Sequence, residues 1–287
     1  MSTSPISNVS DTARWVAVYR AMESARPDAL FHDPYAQLLA GERGQEIAAF
    51  MPPQARNGWP MIARTKLMDD LILAIIQQGC DCVVNLAAGF DTRPYRLAVP
   101  SSLRWIEADL PALTEEKEEL LKDAEPRCQL RRIKVDLADP GARVAMLKEA
   151  VGPSSHALVI TEGLLVYLDE AQVRSLAMDL GDQAGIRWWI LDLASPALLQ
   201  MMAKSMGPQL ANAPMKFGPA NGVAFFEALG WRATQIQSVL RAAARFRRLP
   251  WSLKLFAFLP EPNPRNPGRA PWSAVVQFGC EALHDRA

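Results

Sequence analysis

The sequence predicts an α/β protein built on a doubly wound parallel sheet. From residue 80 onward, short apolar runs of strand length alternate with longer stretches of helix length. Such alternation is typical of parallel strands that are joined by crossover helices. The first apolar run, at 82–86, has Asn85 as its only polar member, which is expected of a strand with helices covering both of its faces.

Several segments in this part of the chain have the composition of strands, and helix-like stretches separate them. The strands are predicted at 82–86, 103–107, 129–135, 157–160, 187–191 and 272–280. The helices are predicted at 111–122, 140–151, 169–181 and 220–229. The last strand is expected to return antiparallel to its neighbour, whereas the earlier ones would be parallel.

The N-terminal part of the chain is predicted to be helical. Its helices are expected at 12–25, from Asp33-Pro34 to Gly41, and at 61–78. In the last of these, helical spacing places Arg64 on the apolar face, whereas it directs Lys66, Asp69, Asp70 and Gln77 outward. An inward arginine needs an anion, which either another side chain of the protein or a ligand can supply.

We interpret residues 11–287 as a single domain that follows a disordered tail at 1–10. Its parts are an N-terminal helical region at 11–79, a ligand-binding core at 80–192, a cap at 193–230 and C-terminal strands at 231–287. The cap would lie over the ligand edge of the sheet. It is rich in methionine, whose commoner use is packing in a core.

A basic run with aromatic neighbours lies in the C-terminal part. It contains Arg241, Arg245, Arg247, Arg248 and Lys254 together with Phe246, Trp251 and Phe256. We interpret it as an exposed helix face followed by a strand, with contact to a membrane or an acidic partner as the alternative.

Composition argues against several classes of partner and site. Lys plus Arg number 31 and Asp plus Glu number 31, so no overall field recruits nucleic acid or an anionic membrane, and neither is expected as a partner. The first ten residues lack the pattern of a signal peptide, and no apolar run approaches the roughly 20 residues of a membrane helix, which predicts a cytoplasmic protein. The four cysteines and three histidines lack metal-site spacing, so no metal is expected.

Small or acidic residues follow the predicted strands at the points where ligands bind such sheets. They are Gly89 and Asp91, Glu107 and Asp109, Asp136, and Glu162 and Gly163. The carboxyl ends of parallel strands converge on one crevice, in which an acid can accept from ribose hydroxyls and another from an adenine amino group. The chain lacks both glycine-rich diphosphate motifs, so we expect an adenosine ligand without phosphate, such as S-adenosylmethionine.

Four motifs in this core, and three before it, carry a resemblance to a known family. The core motifs are NLAAGFDTRPYR at 85–96, WIEADLP at 105–111, VDL at 135–137 and ITEGLLVYL at 160–168. The earlier motifs are TARWVAVYRAME at 12–23, DPY at 33–35 and RTK at 64–66. In order and spacing this set resembles the leucine carboxyl methyltransferase-like family of S-adenosylmethionine-dependent enzymes, in its bacterial O-methyltransferase branch.

The resemblance implies a class I methyltransferase fold, with a Rossmann-like sheet of seven strands and S-adenosylmethionine as the cofactor. The cofactor-binding residues that it implies are Arg20, Arg64, Gly89, Asp91, Asp109, Asp136, Leu137 and Glu162. Arg64 would pair with the methionine carboxylate, Asp109 would accept from the ribose, and Glu162 would lie near the amino group. Asp136 and Leu137 would contact the adenine. The family often has glycine where this chain has Ala87, whose methyl group narrows the turn.

The expected reaction is O-methylation of a carboxylate on a small molecule, such as a polyketide-like acid. A carboxylate is already ionised near neutral pH and needs no general base, which suits a chain with so few histidines. The catalytic candidates are Glu162, Tyr167 and His32. The alternatives within the class are a protein C-terminal carboxylate and a hydroxyl acceptor, and the latter would require a base. Outside the class, the alternatives are a nicotinamide-dependent oxidoreductase and a catalytically silent adenosine-binding protein.

Overall fold

The computed structural model describes residues 6–154 and 156–280, and a sheet of seven strands runs through them. The strands are β1 (Cys82–Leu86), β2 (Arg104–Asp109), β3 (Gln129–Lys134), β4 (Ala157–Thr161), β5 (Ile186–Ala194), β6 (Trp231–Ser238) and β7 (Ser273–Cys280). Their order across the sheet is β3-β2-β1-β4-β5-β7-β6. Strands β1 to β5 pair in parallel, whereas β7 is antiparallel to both β5 and β6. The doubly wound sheet and its antiparallel last strand are confirmed.

Helices cover both faces of this sheet. In the described residues they are α1 (Asp11–Ser24), α2 (Ala36–Phe50), α3 (Trp59–Gln77), α4 (Arg93–Arg96), α5 (Pro111–Leu120), α6 (Pro140–Val151), α7 (Glu170–Gly181), α8 (Pro196–Met206), α9 (Ala224–Glu227) and α10 (Val239–Arg245). Side chains alternate along each strand, so Val84 and Leu86 of β1 pack with α6 and α7, whereas Val83 packs with α3 and α10. Two 3₁₀ helices, Leu165–Tyr167 and Trp251–Phe258, complete these elements.

The first turn after β1 brings the backbone close to α1. Ala87 and Gly89 have φ values of 52° and 47°, in the left-handed region that favours glycine. A Cβ atom on Gly89 would lie 3.1 Å from the Cβ of Ala13, so a side chain there would press on α1. Helix α1 therefore covers the end of β1, close to Gly89.

The structure differs from the predictions in the C-terminal part. Strand β6, at Trp231–Ser238, was not predicted, because its residues WRATQIQS show little apolar alternation on an edge strand. The prediction of a strand after the basic run is also wrong, because Trp251–Phe258 forms a 3₁₀ helix. The helix predicted at 220–229 is reduced to Ala224–Glu227.

One prediction in the N-terminal region needs correction. Asp69 was expected to face outward, but its side chain is buried and accepts hydrogen bonds from Arg93 and Arg96, so tertiary packing overrides the local pattern. Gly41 was expected to end a short helix, and it does leave the helical conformation, with φ 57° and ψ −172°. A second helical stretch follows this kink and runs to Phe50, which the sequence did not predict.

The N-terminal segment and the cap pack together above the sheet. Ile6 is fully buried in a cluster with Met206 and Leu210, and its carbonyl accepts a hydrogen bond of 2.9 Å from the Asn212 side chain. Part of the predicted tail thus belongs to the core, while residues 1–5 lie outside the described residues. The backbone amides of Lys216 and Phe217 donate to the carbonyl of Val166, which fastens the cap to the loop after β4.

Candidate active site

A cavity of about 540 Å³ opens at the carboxyl edge of the parallel strands, beneath α1 and the cap. Its volume lies in the range of ordinary ligand sites. The lining includes every residue for which a cofactor contact was predicted, namely Arg20, Arg64, Gly89, Asp91, Asp109, Asp136, Leu137 and Glu162. The fold therefore brings these residues together, and their individual contacts to a cofactor stay predictions.

Ion pairs organise one side of the cavity, which we call the polar half. It consists of Arg64, Asp91, Arg93, Glu162 and Asp192. Arg64 donates from Nε to Glu162 Oε1 and from Nη1 to Asp192 Oδ2, both over 2.9 Å. Arg64 thus pairs with two carboxylates of the protein, which is one of the two sources of an anion that the sequence left open. Burial alone would lower the pKa of Arg64, but Asp192 and Glu162 raise it above its ordinary value.

Glu162 joins the two arginines of the polar half. Its second oxygen, Oε2, lies 2.8 Å from Arg93 Nη1. Burial would raise the pKa of Glu162, but Arg93 and Arg64 outweigh that effect and hold the pKa below its ordinary value. Asp91 is also held as the anion, by Arg93 Nη1 at 2.9 Å and by the Asn85 side chain at 2.8 Å. These carboxylates are therefore charged acceptors near neutral pH and poor proton donors.

Asp109 ends β2 and faces the glycine turn that follows β1. The Gly89 amide donates to Asp109 Oδ2 over 2.6 Å, and the Leu110 amide donates to Oδ1 over 2.7 Å. Burial raises the pKa of Asp109, and the two backbone donors oppose that rise. Both carboxylate oxygens retain further lone pairs, so the group can still accept hydroxyl donors from a ligand.

Asp136 and Leu137 follow β3 at the exposed end of the cavity. The Ala138 amide donates to Asp136 Oδ1 over 2.9 Å, which fixes the loop, and the carboxylate retains lone pairs that can accept from a ligand. Leu137 packs against the core cluster on the α6 side of the sheet. The pair thus offers an acceptor beside an apolar surface, which is what an adenine edge and face require.

The hydrogen-bond donors of Arg20 are used within the protein. Its Nε donates to Asp33 Oδ2 over 2.8 Å, and its Nη2 donates to the Phe90 carbonyl over 2.5 Å. Thr92 donates to the same oxygen of Asp33 over 2.6 Å. Arg20 therefore positions the loop that carries Asp91, whether or not it also contacts a ligand.

The three catalytic candidates occupy different environments. Glu162 is held by two arginines, as described above. Tyr167 lines the cavity, and burial raises its pKa, so the phenol stays protonated at neutral pH and is not available there as a base. His32 is exposed and is not among the described residues that line the cavity, so the fold does not bring it to the site.

The opposite side of the cavity is the apolar half, supplied by the cap. It consists of Leu198, Leu199, Met202, Met215 and Phe217. The motifs of the sequence contain none of these residues, which is why they were not predicted individually. Two residues of the polar half were also missed, Arg93 and Asp192. Asp192 lies near the end of β5, where the rule of acids following strands would have found it.

No cluster of ligating side chains that could hold a metal ion occurs in residues 6–154 and 156–280. Among the helices of this part of the chain, none is long and apolar enough to cross a membrane. Cys80, Cys82 and Cys128 are buried thiols that form no disulfide. Burial raises the pKa of Cys80 to about 12, so this thiol is not reactive.

The donors of the polar half fit the methionine end of S-adenosylmethionine. Arg93 Nη2 lines this region as a buried donor without a partner in the described residues. The guanidinium group of Arg64 lies beside Gly163, whose φ is 66°, and a Cβ atom on this glycine would be 3.7 Å from Arg64 Nη2. A carboxylate could accept from these groups, while Glu162 can receive an ammonium group.

The sheet order, the acid ending β2 and the absence of a diphosphate loop define the class of S-adenosylmethionine-dependent methyltransferases. The family model described as leucine carboxyl methyltransferase matches residues 13–180. The chain belongs to this family and is an S-adenosylmethionine-dependent methyltransferase, so the oxidoreductase alternative is dropped.

Relatives cover most of the chain. A Streptomyces coelicolor protein assigned as an S-adenosyl-L-methionine-dependent methyltransferase is 35% identical over 245 residues, which cover 79% of this chain and 84% of the relative. A Frankia alni protein of the same assignment is 33% identical over 258 residues, covering 85% and 89%. Both alignments extend over most of this chain, so they support S-adenosylmethionine as its cofactor.

Solved structures with low sequence identity share the fold. A methyltransferase-like protein of Thermobifida fusca has a TM-score of 0.56 at 15% identity and covers 93% of this chain and 94% of its own. A DUF574 family protein of Streptomyces avermitilis has a TM-score of 0.55 at 14% identity, with coverage of 92% and 96%. These similarities support the class I methyltransferase architecture alone.

Proposed function

We propose that this methyltransferase transfers the methyl group to a carboxylate of a small apolar acid. The observation that carries the proposal is the lack of a suitable base in the cavity. No histidine occurs among its described lining residues. Glu162 and Asp91 are held as anions with lowered pKa, and the pKa of Tyr167 is raised. A carboxylate acceptor needs no base, whereas a phenol or an alcohol does.

The residues of the polar half would hold the cofactor and orient it. When bound, S-adenosylmethionine supplies an electrophilic methyl group that an ionised carboxylate can accept without losing a proton. Arg64 would bind the methionine carboxylate, and Glu162 its ammonium group. Asp109 would accept from the ribose hydroxyls, and Asp136 from the adenine amino group. The contribution of the chain is therefore alignment and exclusion of water.

The apolar half supports a small and hydrophobic acceptor. Its leucine, methionine and phenylalanine side chains offer contact area and few hydrogen bonds. The cap is fastened to the loop after β4 and packs on Ile6, so it covers this side of the cavity. A peptide terminus would need polar partners for each of its amide groups, which these side chains do not provide.

The proposal is tested with pairs of acceptors that share one skeleton. Each pair has an aromatic carboxylic acid and the corresponding phenol, with alkyl tails of graded length, and methyl transfer is followed with labelled cofactor. We expect the acids to be methylated and the longer tails to lower KM. The rate with an acid should stay flat from about pH 6 to 9, because its carboxyl group is ionised throughout.

Two results would contradict the proposal. Methylation of the phenols with the matched acids untouched would show that a base exists in the cavity. Transfer to a peptide C-terminus with every small acid left unmodified would show that the acceptor is a protein. Binding of S-adenosylhomocysteine, measured by calorimetry on the same samples, confirms in each case that the cofactor site is intact.

A further inference from the structure

The 3₁₀ helix Trp251–Phe258 presents large apolar side chains to solvent. Trp251 and Phe258 are each 84% exposed and Leu255 is 79% exposed, with Phe256 also exposed. Only Leu253 and Ala257 of this helix pack against the core cluster of α3 and α10. Scattered apolar residues are common on protein surfaces, but a contiguous set of this kind marks an interaction site. We call this set the aromatic patch (Trp251, Leu255, Phe256, Phe258).

Exposed cations lie close to the aromatic patch in the sequence, and one of them, Arg245, stacks over the Phe246 ring at 4.9 Å. Residues 239–260 contain five basic side chains and no acidic one. Arg241 pairs with Glu261 and Arg248 pairs with Glu23. The remaining three, Arg245, Arg247 and Lys254, are exposed and contact no carboxylate in residues 6–154 and 156–280. The balanced charge of the whole chain therefore conceals a local excess of positive charge.

The aromatic patch lies near the apolar cavity of the methyltransferase site. Val239, the first residue of α10, lines the cavity. Two residues further along α10, Arg241 donates from Nη2 to the carbonyl of Leu259 over 3.2 Å. The end of the 3₁₀ helix is thus tied to the element that borders the site.

We propose that the aromatic patch docks this enzyme on the surface of an anionic lipid bilayer. Tryptophan, phenylalanine and leucine insert into the boundary between headgroups and acyl chains, where aromatic side chains are favoured. Arg245, Arg247 and Lys254 then lie at the level of the lipid phosphates and neutralise their charge. This proposal replaces the expectation of no membrane partner, which rested on net charge alone.

The distribution of charge favours lipid over a second copy of the chain. In a two-fold symmetric contact the same surface meets itself, so the three exposed cations would face three cations. Residues 239–260 contain no acid, and Glu261, which follows them, already pairs with Arg241, so such a contact would bring like charges together. A surface of anionic headgroups supplies the missing negative charge and accepts the apolar side chains at once.

The test is co-sedimentation of the full chain with lipid vesicles at low salt. One set of vesicles contains phosphatidylcholine alone, and the other contains phosphatidylcholine mixed with phosphatidylglycerol. We expect binding to the mixed vesicles, much weaker binding to the neutral ones, and loss of binding as salt screens the charges. The double variant Trp251→Ser/Phe258→Ser should bind at least about tenfold more weakly, because it removes the inserting side chains. Lys254→Glu should weaken binding roughly tenfold.

Matched changes elsewhere on the surface serve as controls. Met178→Ser removes an apolar side chain that is 58% exposed on α7, and Lys148→Glu reverses an exposed charge on α6. Neither should alter vesicle binding. All five substituted positions are exposed, so circular dichroism and the melting temperature should confirm that every variant is folded.

Three results would overturn the proposal. The first is no sedimentation with either vesicle type. The second is binding that Trp251→Ser/Phe258→Ser leaves unchanged, since the attachment would then lie elsewhere. The third is a dimer in sedimentation equilibrium that the same double variant dissociates, which would assign the aromatic patch to a second copy of the chain. These readouts do not involve methyl transfer, so they are independent of the proposed acceptor.

Discussion

The two halves of the cavity come from different parts of the chain and are held by different forces. The polar half is built by α3, α4 and the ends of the parallel strands, and its side chains are fixed by ion pairs of 2.8–2.9 Å. The apolar half is built by the cap, where side chains without polar partners pack at the surface of the cavity. One half is specified by paired charges and the other by shape alone.

This difference indicates which part of the site can tolerate substitution of its side chains. A buried charge must keep its partners, because an unpaired one costs several kcal/mol. Flexible methionine and leucine side chains can repack around a new shape at a much smaller cost. We therefore expect the polar half to determine cofactor binding rigidly, and the apolar half to determine which acceptor is used.

The largest effect should follow from removing Arg64 from the polar half. Arg64→Ala removes the donor that we propose for the cofactor carboxylate and leaves Glu162 and Asp192 without this guanidinium partner. We expect affinity for S-adenosylhomocysteine to fall by about 2–4 kcal/mol, measured by calorimetry. Unchanged affinity would remove Arg64 from the cofactor site and leave it with the ion pairs alone.

Met202→Ala is the matched change in the apolar half. We expect cofactor affinity to stay within about twofold of wild type, because Met202 is uncharged and packs with the apolar cluster of the N-terminal segment and the cap. The KM of long-tailed acids should rise by roughly tenfold, as expected when a few buried methylene groups are lost. If Arg64→Ala and Met202→Ala lost cofactor affinity equally, the two halves of the cavity would be coupled and would not have separate roles.

The next effect concerns the pH dependence of stability, through Glu162. Its folded-state pKa is lowered, so its ionised form stabilises the fold fully above its ordinary value of 4.5, and this stabilisation is lost as the pH falls toward the folded pKa. Glu162→Gln should lower the free energy of unfolding by about 1–3 kcal/mol at pH 7. In urea unfolding, the difference from wild type should shrink as the pH is lowered below 4.5.

Glu149→Gln provides the control for this experiment. Its side chain is 53% exposed and pairs with Arg131 at the surface. Such a pair contributes less than about 1 kcal/mol, so we expect a small difference that hardly varies with pH. A difference for Glu162→Gln that is equally small at pH 7 would contradict the assignment of Glu162 as the bridge between Arg64 and Arg93.

The sequence allowed three residues of the polar half to be predicted: Asp91 and Glu162 because they follow strands, and Arg64 because helical spacing places it inward. Strands β1 and β4 are buried along their whole length, which gives them apolar runs that are visible in one sequence. Edge strand β6 escaped prediction because one of its sides lacks a strand partner and its pattern is irregular. Asp69 is buried because it pairs with Arg93 and Arg96, which lie more than 20 positions away in the sequence. The helical spacing within α3 contains no information about such distant partners.

The apolar half could not be predicted for a different physical reason. Any leucine or methionine of the cap fits a core or a cavity equally well, so composition does not say which side chains face the ligand. Only the fastening of the cap to Val166 and its contact with Ile6 determine that placement. Burying an unpaired charge is unfavourable, so a charged residue on a buried face indicates that an oppositely charged partner lies nearby. An apolar residue gives no such indication.

The smallest effect tests the turn between β1 and the cavity. Ala87 has a φ of 52°, which costs an L-residue about 1–2 kcal/mol, and its amide donates to the Ala108 carbonyl over 2.8 Å. Ala87→Gly removes this strain but adds freedom to the unfolded chain, worth about 0.4–1 kcal/mol. We expect a net stabilisation of up to about 1 kcal/mol, seen as a melting temperature raised by about 2–4 °C at most.

The adjacent residue supplies the control, because Ala88 does not have a positive φ. Ala88→Gly gains no relief of strain and should be destabilised by about 0.5–1 kcal/mol. Opposite signs at two neighbouring alanines would show that backbone conformation, and not lost methyl contact, decides the outcome. If Ala87→Gly is also destabilised, the methyl group of Ala87 contributes more by packing in the cavity than its backbone loses by strain. The conformation of this turn would then be determined by apolar packing, as in the apolar half of the cavity.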